Sequence, residues 1–239
     1  DWSPFGIACA LGHVDVATLL LDRGGAVDLC LGDTTPLLFA CRKGHNDVMR
    51  LCLERGADPN WANEKGTTAL YEACKNGHVD ATRLLLDNGA EGDRATKGGH
   101  TPLYIAFKNG HIDAALLLLE SGAKEVDQAD EDGRTLVYMA CEKGHVEAAR
   151  LLLDKGADVN RANEKGATPL FIACWNGHVD TARLLLDKGA EVDRAEKQGA
   201  TPLYIACRKG RVDAARLLLD NGAEVDRATD DGTTPLIVA

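Results

Sequence analysis

Cysteine and histidine stand four residues apart five times in this chain, as Cys9/His13, Cys41/His45, Cys74/His78, Cys141/His145 and Cys174/His178. Thiolate and imidazole are both zinc ligands, and a thiol beside an imidazole is also the pairing of a nucleophile with its base. Zinc, however, needs three or four converging ligands, and each pair offers at most two, with a helix-stopping glycine between them. The acids pose the same question. Asp80, Asp180 and Asp213 recur at one register, at the start of a helix, where a negative charge complements the dipole. Asp180/Arg183 and Asp213/Arg216 add pairs at i,i+3 spacing. No GxxxxGK[ST], GxGxxG or HExxH run occurs. Chemistry-bearing residues repeated in every copy of a unit are architecture. The expectation is therefore no catalysis, no metal, no cofactor and no small-molecule substrate.

The elements that carry these residues come from a short unit used many times. Gly-His falls at 12, 44, 77, 110, 144 and 177, with Gly210-Arg211 as a variant. The second residue of a Thr-Pro-Leu position falls at 4, 36, 69, 102, 136, 169, 202 and 235, so both markers step by 32 to 34 residues. A period of that size signals a stacked array. Repeats begin near 1, 33, 66, 99, 133, 166, 199 and 232, the first and last incomplete, and 1–239 reads as a single repeat domain. The chain opens on Asp and its last copy stops inside a first helix, so both ends look cut from something longer.

Residues 166–198 show the unit. Thr168-Pro169 starts a helix, because the hydroxyl caps free N–H groups and proline fits the first turn. Leu170, Ile172, Ala173 and Cys174 give its apolar side, and Gly177 ends it. A second helix from about Val179 to Lys188 places Val179, Ala182, Leu185 and Leu186 at helical spacing, and Gly189 stops it. The polar stretch to Gln198 reads as an extended turn or hairpin. Asn-Gly at 76, 88, 109, 176 and 221 normally signals a hairpin, but each follows a helix-periodic run and reads as a helix stop.

TPLYIAFKNGHIDAALLLLESGA (101–123) and TPLYIACRKGRVDAARLLLDNGA (201–223) resemble the ankyrin repeat, whose signature contains Thr-Pro-Leu-His-x-Ala at a period of 33. The resemblance covers essentially the whole chain. It implies an all-α repeat solenoid, a curved stack of antiparallel helix pairs with β-hairpin loops projecting from one edge. It also implies Asn160, in LLDKGADVN, as a context for side-chain hydroxylation. The signature histidine is replaced throughout, by Leu38, Tyr71, Tyr104, Tyr138, Phe171 and Tyr204. Ala69 and Leu136 replace the turn-starting proline, the stretch from Leu29 to Thr35 is one residue short, and GAKEVD (122–127) carries an extra residue. These edits are expected to shift hairpins locally without breaking the stack.

Composition agrees. A net charge of −10 weighs against bulk affinity for nucleic acid or anionic membrane, and no apolar run approaches a membrane span, so direct insertion is not expected. Of the eight cysteines, Cys9, Cys41, Cys74, Cys141, Cys174 and Cys207 share one slot, filled by Phe107 in the fourth copy. Stacked helices lie about 8–10 Å apart, too far for a disulfide, whose Cα atoms lie within about 7 Å. Buried free thiols suit an intracellular, cytoplasmic location or the cytosolic side of a larger protein.

The residues that can choose a partner are those free to vary. The two positions after the cysteine slot read Ala10-Leu11, Arg42-Lys43, Lys75-Asn76, Lys108-Asn109, Glu142-Lys143, Trp175-Asn176 and Arg208-Lys209. The resemblance places them on the concave side. They form a basic stripe, whereas every second helix carries an acid near each end, so a polarised molecule is expected. In the loops, Arg94, Arg161, Arg194 and Arg227 share a slot that Trp61 takes in another copy, and Trp175 likewise interrupts the basic stripe. Each tryptophan is either an interface anchor or a ring stacked on a neighbouring Lys or Arg stem. The leading expectation is a scaffold or adaptor module whose concave helix face and hairpin tips bind a protein partner bearing an acidic segment. Reversing Arg42, Lys75 and Lys108 is expected to weaken binding and leave stability nearly unchanged. A mechanical spring or spacer, and nucleic-acid binding along the stripe, are the competing readings.

Overall fold

The computed structural model describes residues 3–28 and 32–239. The shortened stretch around Leu29 to Thr35 therefore falls partly outside the described residues. The chain divides into two compact units, Asp1–Glu125 and Val126–Ala239. The division lies within GAKEVD, where the extra residue was noted.

The first unit holds four helix pairs: α1 (Pro4–Leu11) and α2 (Val14–Asp22), α3 (Pro36–Lys43) and α4 (Asn46–Glu54), α5 (Ala69–Asn76) and α6 (Val79–Asp87), α7 (Pro102–Asn109) and α8 (Ile112–Glu120). The second holds α9 (Leu136–Lys143) with α10 (Val146–Asp154), α11 (Pro169–Asn176) with α12 (Val179–Asp187), α13 (Pro202–Arg208) with α14 (Val212–Asp220), and the short α15 (Pro235–Val238). In each unit every first helix packs on its own second helix and on the next first helix, and second helices pack on second helices. Such pairs are too small to bury their own apolar faces, and stacking does it.

The predicted punctuation is met residue by residue. Thr35, Thr68, Thr101, Thr135, Thr168 and Thr201 each accept the N–H three residues on, at 3.1–3.3 Å. A cap of this kind contributes about 1 kcal/mol. It also explains why α5 and α9 start on register although Ala69 and Leu136 replace proline: the threonine sets the start. All five Asn-Gly pairs end helices, as at Gly177, which adopts φ 80° and donates its N–H to Ala173 and Cys174 carbonyls. Within the second helices, the predicted i,i+3 pair forms for Asp213–Arg216 at 3.6 Å and also for Glu147–Arg150 at 3.5 Å, but not for Asp180 and Arg183.

Stacking demands small residues where first helices meet. Ala40-Cys41, Ala73-Cys74, Ala140-Cys141 and Ala173-Cys174 are completely buried. Their cysteines are free thiols. The histidines do a second job. His45 Nε2 lies 3.3 Å from the Ala10 carbonyl of the preceding repeat, and Arg211 Nε donates to the equivalent Trp175 carbonyl at 3.3 Å. The rings of His78, His111 and His178 lie against Gly44, Gly77 and Gly144, so close that a Cβ on Gly77 would stand 2.5 Å from His111 Nδ1. That glycine is required for its positive φ and for the space.

The loops are turns more than strands. Among the described residues only Ala62↔Thr68 and Ala129↔Thr135 reach β-bridge pairing. Four tips are instead each tied by one acceptor side chain. Asn63 Oδ1 takes the N–H groups of Lys65 and Thr67, Asp130 those of Asp132 and Arg134, Asn163 those of Lys165 and Ala167, and Glu196 those of Gln198 and Ala200. Successive tips are then joined backbone to backbone: Lys97 N–H to Lys65 carbonyl, Glu164 to Asp132, Lys197 to Lys165, and Asp230 to Gln198, all at 2.9–3.0 Å. In the shortened copy the acceptor is a side chain, the Asp33 carboxylate, which takes Glu64 N–H at 2.6 Å.

Candidate functional site

The five Cys/His pairs separate into core and seam. The thiols point into the packed interior, and the imidazoles of His45, His78 and His178 into the seams between repeats. Among the described residues no three His, Cys, Asp or Glu side chains converge as metal ligands would. Burial pushes the Cys41 and Cys141 thiols far up and holds Cys74 and Cys174 at about 12. Protonated thiols at neutral pH are poor nucleophiles.

The variable positions occupy the first-helix face and the loop tips, and the structure gives them unequal freedom. Lys43, Lys75, Lys108, Lys143, Arg208 and Lys209 are exposed and none takes part in an ion pair. The stripe's three asparagines are engaged by the scaffold. Asn109 Nδ2 reaches back to the Lys75 carbonyl at 2.8 Å, Asn176 Nδ2 reaches the Glu142 carbonyl at 3.0 Å, and Asn76 folds onto the Glu72 carbonyl at 2.7 Å. Loop arginines act as clips: Arg94 donates to the Asn60 carbonyl at 2.8 Å and Arg161 to the Asp127 carbonyl at 3.0 Å, whereas Arg194 pairs with Glu191 at 3.3 Å in its own loop. Trp61 is half-buried in that slot. Asn160 is also a structural clip, accepting Glu191 N–H at 2.9 Å and donating to the Gly189 carbonyl at 3.4 Å. Asn60 makes the same two bonds to Glu91 and Gly89.

In the first unit a cleft of about 770 Å³ opens between the face of α3 and α5 and the loop tips. Its floor carries a residue that repeat reading overlooked. Glu72 occupies a first-helix slot held by Phe39, Ile105, Met139, Ile172 and Ile205 elsewhere, and it is 94% buried, with a relative exposure of 6%. Its carboxylate accepts from Arg42 at 3.3 Å and from Asn76 Nδ2 at 3.4 Å. Arg42 is thus counter-ion to a buried acid, and reversing it would leave two carboxylates facing each other. The expectation that the triple reversal leaves stability unchanged is corrected on this point. Lys65, Lys75 and Lys97 complete the basic rim.

The second unit presents a different surface. Here a cleft of about 590 Å³ is walled by Tyr138, Phe171, Ile172, Trp175, Tyr204 and Ile205. Trp175 remains 37% exposed, with Lys209 Nζ 4.2 Å over its ring and Phe171 6.2 Å away. The expected stacking on a neighbouring lysine is met at Trp175, whose ring nevertheless stays partly exposed. At the rim Arg134 serves three carboxylates: Asp130 at 2.7 Å, Asp132 at 3.7 Å and Glu142 at 4.0 Å. Burial raises the Asp130 pKa, but the Arg134 hydrogen bonds and charge more than offset it and hold that carboxyl below its ordinary value. Burial, with Glu142 nearby, holds the Tyr138 phenol at about 12. Its oxygen faces Asn163 Nδ2 at 3.4 Å.

Stacked helix pairs with variable residues on one helix face and at the loop tips define an all-α repeat array. Family models described as ankyrin repeats match residues 1–63, 48–129 and 124–196 in three copies, and residues 176–219 and 206–239 in a many-copy form. The chain belongs to the ankyrin repeat family. Ankyrin repeats are in general protein–protein interaction modules and typically non-catalytic. No curated protein matches the chain. No helix among the described residues is long and apolar enough to cross a membrane.

Proposed function

We propose that this chain is a scaffold or adaptor module that binds a protein partner along its first-helix face and loop tips, without chemistry of its own. One observation carries the reading: exposed cations line the first-helix face and lack ion-pair partners, on a chain of net charge −10. In the first unit Lys75, Lys65 and Lys97 surround the cleft, and Lys108 stands beside it with its ammonium 5.5 Å over the Tyr104 ring. Cations without ion-pair partners on one face steer and orient a partner of opposite sign. The partner's matching segment is acidic. The Asn76, Asn109, Asn176, Arg94, Arg161 and Arg194 side chains contribute as parts of a rigid platform, since their hydrogen bonds hold it in shape.

A pull-down with the bare chain, followed by identification of what stays bound, supplies the partner. The affinity of Lys75→Glu/Lys108→Glu for it is then compared with that of the original chain across salt concentrations. Arg42 is left intact because of Glu72. The double variant is expected to bind about tenfold more weakly, with a shallower salt dependence, and to melt within about a degree of the parent. Unaltered affinity and salt dependence would sink the basic-face reading.

A further inference from the structure

We propose that the aromatic cleft of the second unit takes a peptide segment in which a bulky apolar side chain stands next to an arginine or lysine. The proposal deepens the reading of the first-helix face as a protein-binding surface and rests on it. The cleft's volume of about 590 Å³ falls in the range of about 300–1,000 Å³ in which pockets enclose a ligand group. Its walls are apolar where the first unit's are charged. Ile172 and Trp175 take the slots held by Glu72 and Lys75 one unit earlier, and Tyr138, Phe171 and Tyr204 align from three successive repeats. An exposed tryptophan among apolar neighbours is the residue type most often found at the centre of an interface.

The charges around that apolar floor choose the neighbour. Asp132, Glu142, Glu164 and Glu196 line the cleft against Arg134, Lys165 and Arg208. Arg134 is already shared among Asp130, Asp132 and Glu142. Glu196 is spent on its own turn, accepting from Gln198 and Ala200. The side of the cleft nearest Arg134 therefore holds more carboxylate than cation, and an entering guanidinium or ammonium completes it. Trp175 already receives a cation on its ring from Lys209 at 4.2 Å. Lys209 does not line the cleft, so the ring remains available to a second group from the cleft side. Aromatic faces and carboxylates together favour a basic residue beside the apolar anchor. An acidic peptide, suited to the first unit, meets repulsion here.

The test uses the full chain and a phage-displayed library of random dodecapeptides, followed by titration of synthetic versions of the peptides selected. The expected consensus is a bulky apolar residue adjacent to Arg or Lys. Trp175→Ala is expected to weaken those peptides by about tenfold or more, and Glu142→Lys/Glu164→Lys by a similar factor, while Lys75→Glu/Lys108→Glu leaves them unchanged. Circular dichroism melts check folding, and should Trp175→Ala unfold, the glutamate pair decides. A consensus of acidic peptides, lost with Lys75→Glu/Lys108→Glu, overturns this proposal and leaves the basic-face reading standing. The expected consensus with affinity indifferent to both second-unit variants overturns the location. Selection of nothing above background overturns the proposal and the protein-binding reading with it.

Discussion

The two units use one scaffold to present opposite surfaces. Thr68 and Thr168 cap first helices with the same bond, Gly77 and Gly144 meet a histidine in the same way, and the tips turn on Asn63 and Asn163 identically. On that frame the first unit places Glu72, Lys75 and Arg42, and the second Ile172, Trp175 and Arg208, at matching slots. Slots that stack hold a short list of residues, mostly Ala, Cys, Thr, Leu and Gly, set by space and backbone conformation. Slots that face outward are free, and there neighbouring repeats diverge from charge to aromatic. Recognition in such an array is a choice of residues at a handful of register positions, made separately in each unit.

The comparison supposes that the frame is equivalent in both units, and the largest effect tests that. Gly77→Ala and Gly144→Ala put a Cβ 2.5 Å from His111 and 2.6 Å from His178, at φ 72° and 73°. Left-handed backbone alone costs an L residue about 1–2 kcal/mol, and displacing the imidazole from its seat brings the total to about 3 kcal/mol. Gly89→Ala and Gly189→Ala, at φ 83° and 86° with open space around them, lose only the backbone share. Urea denaturation of the four variants reads this directly. Equal costs at all four positions would show that the close approach of histidine contributes nothing. Unequal costs at Gly77 and Gly144 would show that the units are not built alike.

The next effect separates the two surfaces. Arg42 and Arg208 fill one slot, but only Arg42 has a buried acid beneath it, Glu72 at 3.3 Å. Arg42→Ala strands that carboxylate and is expected to cost about 2 kcal/mol. Arg208→Ala removes an exposed cation and is expected to stay within about 0.5 kcal/mol. In a Glu72→Ile background, which restores the apolar residue of the other repeats, the cost of Arg42→Ala should vanish. Thermal melts of the double-mutant cycle measure the coupling. A full Arg42 penalty surviving without Glu72 would mean that its stem packing, not its charge, is what matters.

What the sequence disclosed follows the same division. The period, the helix starts and stops and the buried cysteine slot were legible, because steric demands leave one or two residue types per position. The tip turns were not. Asn63, Asp130, Asn163 and Glu196 do one job with three residue types, since the turn asks only for an acceptor oxygen at the right place. Asp33, one residue out of step, supplies by side chain the acceptor that other tips supply by carbonyl. The stripe of variable residues was visible as a list, but spacing along one helix cannot tell that Asn109 reaches a neighbouring carbonyl or that Arg42 answers to Glu72 thirty residues on. Glu72 did carry a signal: it is the charged residue in a slot otherwise held by Phe, Ile and Met.

The smallest effect concerns acid, and it belongs to the second unit. Asp130 holds its tip with bonds from Asp132 N–H at 3.0 Å and Arg134 N–H at 2.9 Å, and adds a charged bond from Arg134 Nε at 2.8 Å. Asn63 and Asn163 hold their tips with an amide oxygen alone. Asp130→Asn therefore keeps the turn and removes the charge. Arg134 is more than a third exposed, so solvent screens the pair and the loss at neutral pH is about 0.5–1 kcal/mol. The sign of the pH dependence follows from the lowered pKa of Asp130 in the fold. A carboxyl of depressed value stabilises fully above its ordinary 3.8 and loses that contribution as pH falls through the folded value, where the native state must take up the proton. The original chain should accordingly lose its advantage over Asp130→Asn as pH drops below about 4, and the two should melt together in stronger acid. Melting curves at neutral pH and on an acid series measure the difference. An advantage that persists unchanged into strong acid would mean that the Asp130 carboxylate stabilises its tip as a hydrogen-bond acceptor only, as the asparagines do, and the charge that distinguishes this tip from theirs would count for nothing in the fold.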